Sequence, residues 1–282
     1  MTYSLYELSW TGLGWLALAF AAGRVQADAG PPGGMPMPPS GSPSGATFLS
    51  YSGSATALGT DRFIYGEEHF MRFQNGRIAE RVVLYKCQNG APFARKHLVY
   101  GNPLAPDFEL LDVSSGLHEG VRTKAGGGRE IFYRESSGEQ EETGPLPNVP
   151  GLVGDAGFDE FVRANWATLM AGEKRRLDFV IPSRRDVMSF QVRHVQSDTV
   201  SGVPVEMFRL RLSGFLGLLL PSIDVYYSSA DHLLTRYDGL SNLHDASGSI
   251  YKAHIIFPPP NRKASDQQTL NKVLETRLAR CQ

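Results

Sequence analysis

From Lys174 onward the chain alternates. Leu177, Phe179 and Ile181 fall on one side of an extended backbone, and Lys174, Arg176 and Asp178 fall on the other. Met188, Phe190 and Val192 alternate with Ser189, Gln191 and Arg193, and Phe208, Leu210 and Leu212 oppose Arg209 and Arg211. Successive side chains of a strand point to opposite faces, so this period of two describes a sheet with one apolar and one wet face. Parallel strands buried on both faces would read instead as continuous apolar runs. Earlier in the chain Asn75-Gly76 parts Asp61–Gln74 from Arg77–Cys87, and Asn89-Gly90 follows. Gly126-Gly127-Gly128 parts Leu117–Thr123 from Arg129–Arg134. Such pairs supply the positive φ that tight hairpins demand. The count is about eleven to thirteen antiparallel strands, with no βαβ rhythm.

Two helices interrupt the strands. Between Gly157 and Ala171, residues Phe158, Phe161, Val162, Trp166, Leu169 and Met170 recur at helical spacing, with Asn165 the polar intruder. Asp155, Asp159 and Glu160 suit the positive N-terminal end of that helix, and Gly172 supplies the stop. The second helix spans 266–280, opens on a capping box from Ser265 to Gln268, and buries Leu270, Val273, Leu274 and Leu278. The expected fold is therefore mainly β: an antiparallel, strongly curved sheet or incomplete β-barrel packed on one or two amphipathic helices. Curling the sheet removes exposed edges. The polar segment Ser136–Pro150 reads as a surface loop and marks no domain boundary.

The first residues carry an address. Trp10–Gly23 is an uncharged apolar run of fourteen residues. A membrane-spanning helix needs roughly 20 and a secretory h-region about 7–15. Small residues then allow cleavage after Ala27 or Ala29, although Glu7 stands where a basic residue is usual. Residues 28–46 are a Pro/Gly-rich linker; six prolines and five glycines between Gly30 and Gly45 leave nothing to bury. The expected division is a signal peptide over 1–27, that linker, and one folded domain over 47–282. A periplasmic or secreted protein follows, with no stable membrane span after signal removal. Cys87 and Cys281 then have one available pairing in an oxidising compartment. The other reading is two unrelated thiols.

The search for chemistry excludes more than it finds. Lys+Arg 28 against Asp+Glu 29 gives a net charge of -1, no basis for a nucleic-acid partner. The chain holds no G-x-S-x-G, no phosphate-binding G-x-x-x-x-G-K-[ST], no C-x-x-C and no H-E-x-x-H. The seven histidines show no metal-ligand spacing, and Glu67-x-His69 is a half-site at best. No cofactor is expected. Asp155 and Asp159 sit four apart and would face the same side if both were helical. They read either as a cap and a first-turn acid or as a carboxylate pair for acid–base work. Arg184-Arg185 reads as a solvated hairpin turn in preference to an anion site. Phe215, Leu216, Leu218 and Leu219 lie in the apolar run Gly214–Pro221. That run is either a buried strand continuation or a greasy lip that contacts a ligand, a partner or a membrane.

Three stretches carry a resemblance: Ala105–Arg122 (APDFELLDVSSGLHEGVR), Asp155–Trp166 (DAGFDEFVRANW) and Arg236–Leu243 (RYDGLSNL). They resemble a set of uncharacterised exported proteobacterial proteins, over most of Thr47–Phe257. The resemblance implies export and β architecture and brings no catalytic residue. More loosely, the strand and helix plan is similar to periplasmic lipid- or lipoprotein-carrier half-barrels, a likeness of fold alone. Taken together, the expected function is an exported protein that binds a lipid or other apolar molecule in a barrel-like cavity. One alternative is a structural or adaptor protein of the cell envelope whose core is filled and whose partner is another envelope protein. A further alternative is a hydrolase using Asp155 or Asp159.

Overall fold

The computed structural model describes residues 45–214, 221–245 and 248–281. Its first meander is β1 (Ala46–Ala57), β2 (Phe63–Gln74), β3 (Arg77–Lys86), β4 (Pro92–Val99), β5 (Asp107–Asp112), β6 (His118–Thr123), β7 (Arg129–Arg134) and β8 (Glu142–Pro145). A two-residue strand β9 (Leu152–Val153) follows. The second meander is β10 (Arg175–Ile181), β11 (Asp186–Val200), β12 (Val203–Leu212), β13 (Ile223–Ser228), β14 (Leu234–His244) and β15 (Ile250–Ile256), and β16 (Lys263–Ala264) adds to β1. The two meanders join where β1 pairs with β15, from Ser54↔Ile256 to Ala57↔Ala253. All strands thus belong to one curved sheet that runs from β8 at one end to β9 at the other and does not close. Sixteen strands stand among the described residues. Beyond the expected thirteen are β8, β9 and β16, of four, two and two residues, too short to display an alternation. Asn75 and Gly76 both take positive φ at the β2–β3 hairpin, as their sequence requires.

The sheet stays open, and its two ends meet through side chains. Val180 of β10 and Val187 of β11 lie against Leu98, Phe108, Val121 and Ile131 of β4 to β7. Leu146 and Leu152 complete this apolar seam. At its margin, a Cβ placed on Gly144 of β8 would lie 3.1 Å from the Cβ of Arg185, in the β10–β11 turn.

The helices take opposite sides. α1 (Gly157–Ala164) and α2 (Trp166–Met170) pack Phe158, Phe161, Val162 and Leu169 on Val192, Phe208, Leu210 and Val225 of the second meander. The expected single helix over 157–171 breaks at Asn165, whose side-chain amide donates to the Phe161 carbonyl at 2.9 Å and competes with the helical ladder. α3 (Gln267–Leu274) instead covers the other face of β3, seating Leu270 and Val273 on Val82 and Leu84. It starts one residue later than the capping box predicts. Ser265 still donates its backbone N–H to the Phe48 carbonyl, and Asp266 caps by accepting from Thr269 N–H at 2.7 Å. It also ends six residues earlier than expected. Beyond it Ala279 N–H reaches the Pro92 carbonyl at 2.9 Å, and Cys281 is bridged to Cys87.

Gly157 opens α1 in close contact with the chain at Leu104: a Cβ there would stand 1.9 Å from the Leu104 carbonyl oxygen. No rotamer relieves a clash with backbone. Gly157→Ala is expected to lower stability by about 3 kcal/mol, read as a lower urea midpoint at unchanged slope.

Candidate functional site

Charged residues lie in phase with the apolar face of the first meander. On β2 the inward set is Tyr65, Glu67, His69, Met71 and Phe73, all buried. On β3 it includes Arg81, Val83 and Tyr85, on β4 Ala94, Lys96 and Leu98, and Glu119 of β6 points the same way. A charge on that side leaves water and must find a partner. α1 and the turn before it provide two.

Asp159 of α1 accepts from Arg81 Nη1 at 2.9 Å through one carboxylate oxygen and from the Tyr227 hydroxyl at 2.8 Å through the other. Tyr227 belongs to β13, so this carboxylate bridges the two meanders through the helix between them. Burial alone would push the Asp159 carboxyl up; Arg81 and Arg163 outweigh it and hold it below the usual carboxylate range. Asp155, one helical turn earlier, sits at φ 44, a left-handed value uncommon for a residue with a side chain. Its Oδ2 accepts from Lys96 Nζ at 2.7 Å and from Asn242 Nδ2 at 3.2 Å. Burial opposes the charge on Lys96, and Asp155 more than compensates, so the ammonium is held above its ordinary value.

Two further groups complete the interior. Glu119 lies beside Lys96 and Asp155 and accepts from Asn242 at 3.4 Å. Burial pushes its carboxyl up to about 7, with Lys96 opposing and Asp155 adding to the rise. His69 donates or accepts at Nε2 with Glu67 at 2.7 Å, stacks on Tyr51 at 4.4 Å and meets the edge of Phe257 at 5.2 Å. Burial lowers its pKa despite Glu67, so the ring is neutral near pH 7, with Nε2–H as the donor.

Chemically, the arrangement is an interlock of buried ion pairs. Both oxygens of Asp159 are engaged, and Asp155 spends its second oxygen on the Ala156 N–H at 2.7 Å. Asp159 lies on α1 while Asp155 lies in the turn before it at a left-handed φ, so the two share no helix face; each has its own cation. Among the described residues no group of three or more His, Cys, Asp or Glu is placed to hold a metal. Cys87 and Cys281 form a disulfide. Phe215, Leu216, Leu218 and Leu219 lie outside the described residues. Sequence reasoning missed Arg81, Lys96, Glu119, Tyr227 and Asn242. The first three left a signal, a charge in phase with an apolar face. Tyr227 and Asn242 left none, because only the fold brings them to the helix.

Among the described residues, two shallow hollows lie on the outer face of the sheet, one of about 230 Å³ beside His97, Glu109, His118 and Phe132, the other of about 260 Å³ beside Arg193 and Arg211. Among the described residues, no helix is long and apolar enough to cross a membrane.

No protein-family model matches the chain, and no curated protein matches it. Solved structures do. A β-barrel-like protein of domain of unknown function DUF1849 from Brucella abortus is 7% identical, covers 78% of this chain and 99% of its own, and has a TM-score of 0.44. A DUF1329 family protein from Desulfovibrio piger is 8% identical, covers 80% and 88%, and has a TM-score of 0.26. A LolA superfamily protein from Nitrosomonas europaea is 8% identical, covers 79% and 88%, and has a TM-score of 0.22. At these values none of them carries a residue role to this chain.

Removing one partner of a buried ion pair strands the other, which costs about 3–5 kcal/mol. Arg81→Met is expected to show that loss in urea unfolding, and Arg81→Met with Asp159→Asn to recover more than half of it. Glu119 gives a pH dependence of the opposite sense to acid unfolding. It holds its proton more tightly folded than unfolded, so its contribution is full below pH 4.5 and is lost as pH rises toward about 7. Glu119→Gln is expected to flatten that fall and to be the more stable protein at pH 8, by on the order of 3 kcal/mol, measured by denaturant unfolding across this range.

Proposed function

We propose that the protein is an exported, non-enzymatic binding protein of the cell envelope that takes an apolar molecule, such as a lipid acyl chain, into the seam of its unclosed sheet. The observation that carries this reading is the way the sheet comes together. Its two ends meet through Leu98, Phe108, Val121, Ile131 and Val180, with no ladder of backbone hydrogen bonds between them among the described residues. Side-chain contacts of this kind are non-directional, so a hydrocarbon chain can take the place of one wall and restore the same burial. The ion pairs of α1 hold the polar half of the interior, leaving the seam as the part that can open. Export is supported by the apolar run Trp10–Gly23 and by the Cys87–Cys281 bridge, which suits an oxidising compartment. The occupied carboxylates of Asp155 and Asp159 weigh against the hydrolase alternative.

A second reading has its own support. The buried ion pairs and tyrosines fill much of the concave face, as in an adaptor whose core belongs to itself and whose contacts lie outside. A staple across the seam separates the two. With a Cβ separation of 3.1 Å, Gly144→Cys and Arg185→Cys lie within slight adjustment of the spacing a disulfide needs, about 3.8 Å. The stapled protein is expected to lose uptake of a fluorescent fatty acid, and each single variant to keep it. Undiminished uptake after stapling, or a wild type that takes up none and carries none in native mass spectrometry, defeats the carrier reading and leaves the adaptor.

A further inference from the structure

The strand register draws one continuous row across the inner face of the first meander. Arg81 of β3 stands directly across from Leu98 of β4, Leu98 from Phe108, Phe108 from Val121, and Val121 from Ile131 of β7. All five are buried. The four apolar members form one wall of the seam, and they span three strand intervals, about 14 Å. The row therefore runs from hydrocarbon into a guanidinium. Tyr100 stands beside that junction. It packs against both the seam and the core of the first meander, and its backbone N–H is fixed on the Ala79 carbonyl at 3.0 Å.

Two buried polar atoms at this junction have no hydrogen-bond partner, Nε of Arg81 and the hydroxyl oxygen of Tyr100. Arg81 is 3% exposed, and among the described residues no other buried hydroxyl lacks a partner. Burial pushes the Tyr100 hydroxyl up, and Arg81 is the charge that most opposes the rise, so the two groups are neighbours and the phenol keeps its proton. Both atoms are donors. A buried donor left unanswered is costly, and packing does not ask for this hydroxyl, since a phenylalanine ring would fill the same space. The Nη1 of Arg81 is already committed to Asp159. His69 Nδ1 is also unpartnered, but it is an acceptor while Nε2 holds the proton, so it cannot answer the same oxygen.

We propose that the seam takes an ester-linked acyl chain, with the hydrocarbon along Leu98, Phe108, Val121 and Ile131 and the carbonyl oxygen held by Arg81 Nε and the Tyr100 hydroxyl. This rests on the reading of the seam as a binding site and adds the chemistry of the head. An N–H and an O–H donor side by side call for an acceptor oxygen, and charge decides which kind. The positive charge of Arg81 is answered by Asp159, and Asp159, Glu160 and Asp155 all act on Tyr100. A free carboxylate would bring a further anion out of water into that company without a cation of its own. An ester carbonyl accepts the same two hydrogen bonds and carries no charge.

The test is displacement of diphenylhexatriene, a polyene without a polar group, by methyl decanoate, decanoic acid and decane at pH 8. The ester is expected to bind several-fold more tightly than the acid. Tyr100→Phe is expected to weaken the ester about fivefold, the worth of one hydrogen bond, and to leave decane as it was. Its urea midpoint is expected to hold or rise, because the hydroxyl it removes has no partner within the protein. An acid that binds as tightly as the ester overturns the choice of an ester. Tyr100→Phe that binds the ester as the wild type does, or weakens ester and decane alike, overturns the site while leaving the seam a binder of hydrocarbon. If neither diphenylhexatriene nor any of the three binds, the seam reading itself fails and the site falls with it.

Discussion

Asp159 is the residue on which the two halves of this protein agree. A carboxylate withdrawn from water is costly, and it is tolerable here because Arg81 comes from the first meander and Tyr227 from the second. Neither half provides the whole environment. The apolar side of α1 is already committed to the second meander through Phe158, Phe161 and Val162, so its acidic side reaches the first only when the sheet has curled to the observed degree. The curvature is thus set by an ion pair as much as by apolar burial. Lys96 and Asp155 add a second ion pair in the turn before the helix, beside Gly157, whose lack of a side chain allows the backbone to approach Leu104.

Much of the fold could be read from the residues. The alternation in β10, β11 and β12 describes those strands, and Asn75-Gly76 places a hairpin, because strand period and turn conformation are local properties. Helix limits were less legible. Asn165 looked like a tolerated intruder and divides the helix, since its amide finds the Phe161 carbonyl. The second helix was read through to residue 280, because a run with good helical spacing gives no warning that Ala279 is needed at Pro92 and Cys281 at Cys87. That bridge is a tertiary fact: with two cysteines the partner was fixed, and whether they meet was not.

The site was half visible. Asp155 and Asp159 stood out by their spacing, but their role depends on partners some sixty to eighty residues away in the chain. Arg81, Lys96 and Glu119 could have been found by asking which charges break the phase of an apolar face. Lys96 sits between buried Ala94 and Leu98, Glu119 between buried Leu117 and Val121, and Arg81 two residues before buried Val83. An alternating pattern with an ionisable residue in the wrong phase is therefore more informative than the alternation itself, because the exception has to be answered from elsewhere in the structure.

The pairing of β1 with β15 has a kinetic consequence. Thr56 reaches the backbone of His254 across 198 residues of chain, so one edge of the first meander stays open throughout synthesis of everything between. β2 to β7 can form by hairpin steps, each local and fast, whereas joining β1 to its distant neighbour carries a large loop-closure entropy. Until that happens β1 is a bare edge with unsatisfied amides and carbonyls, the kind of template on which other chains polymerise. The topology leaves that edge open until β15 is made, and the hazard ends when that strand arrives.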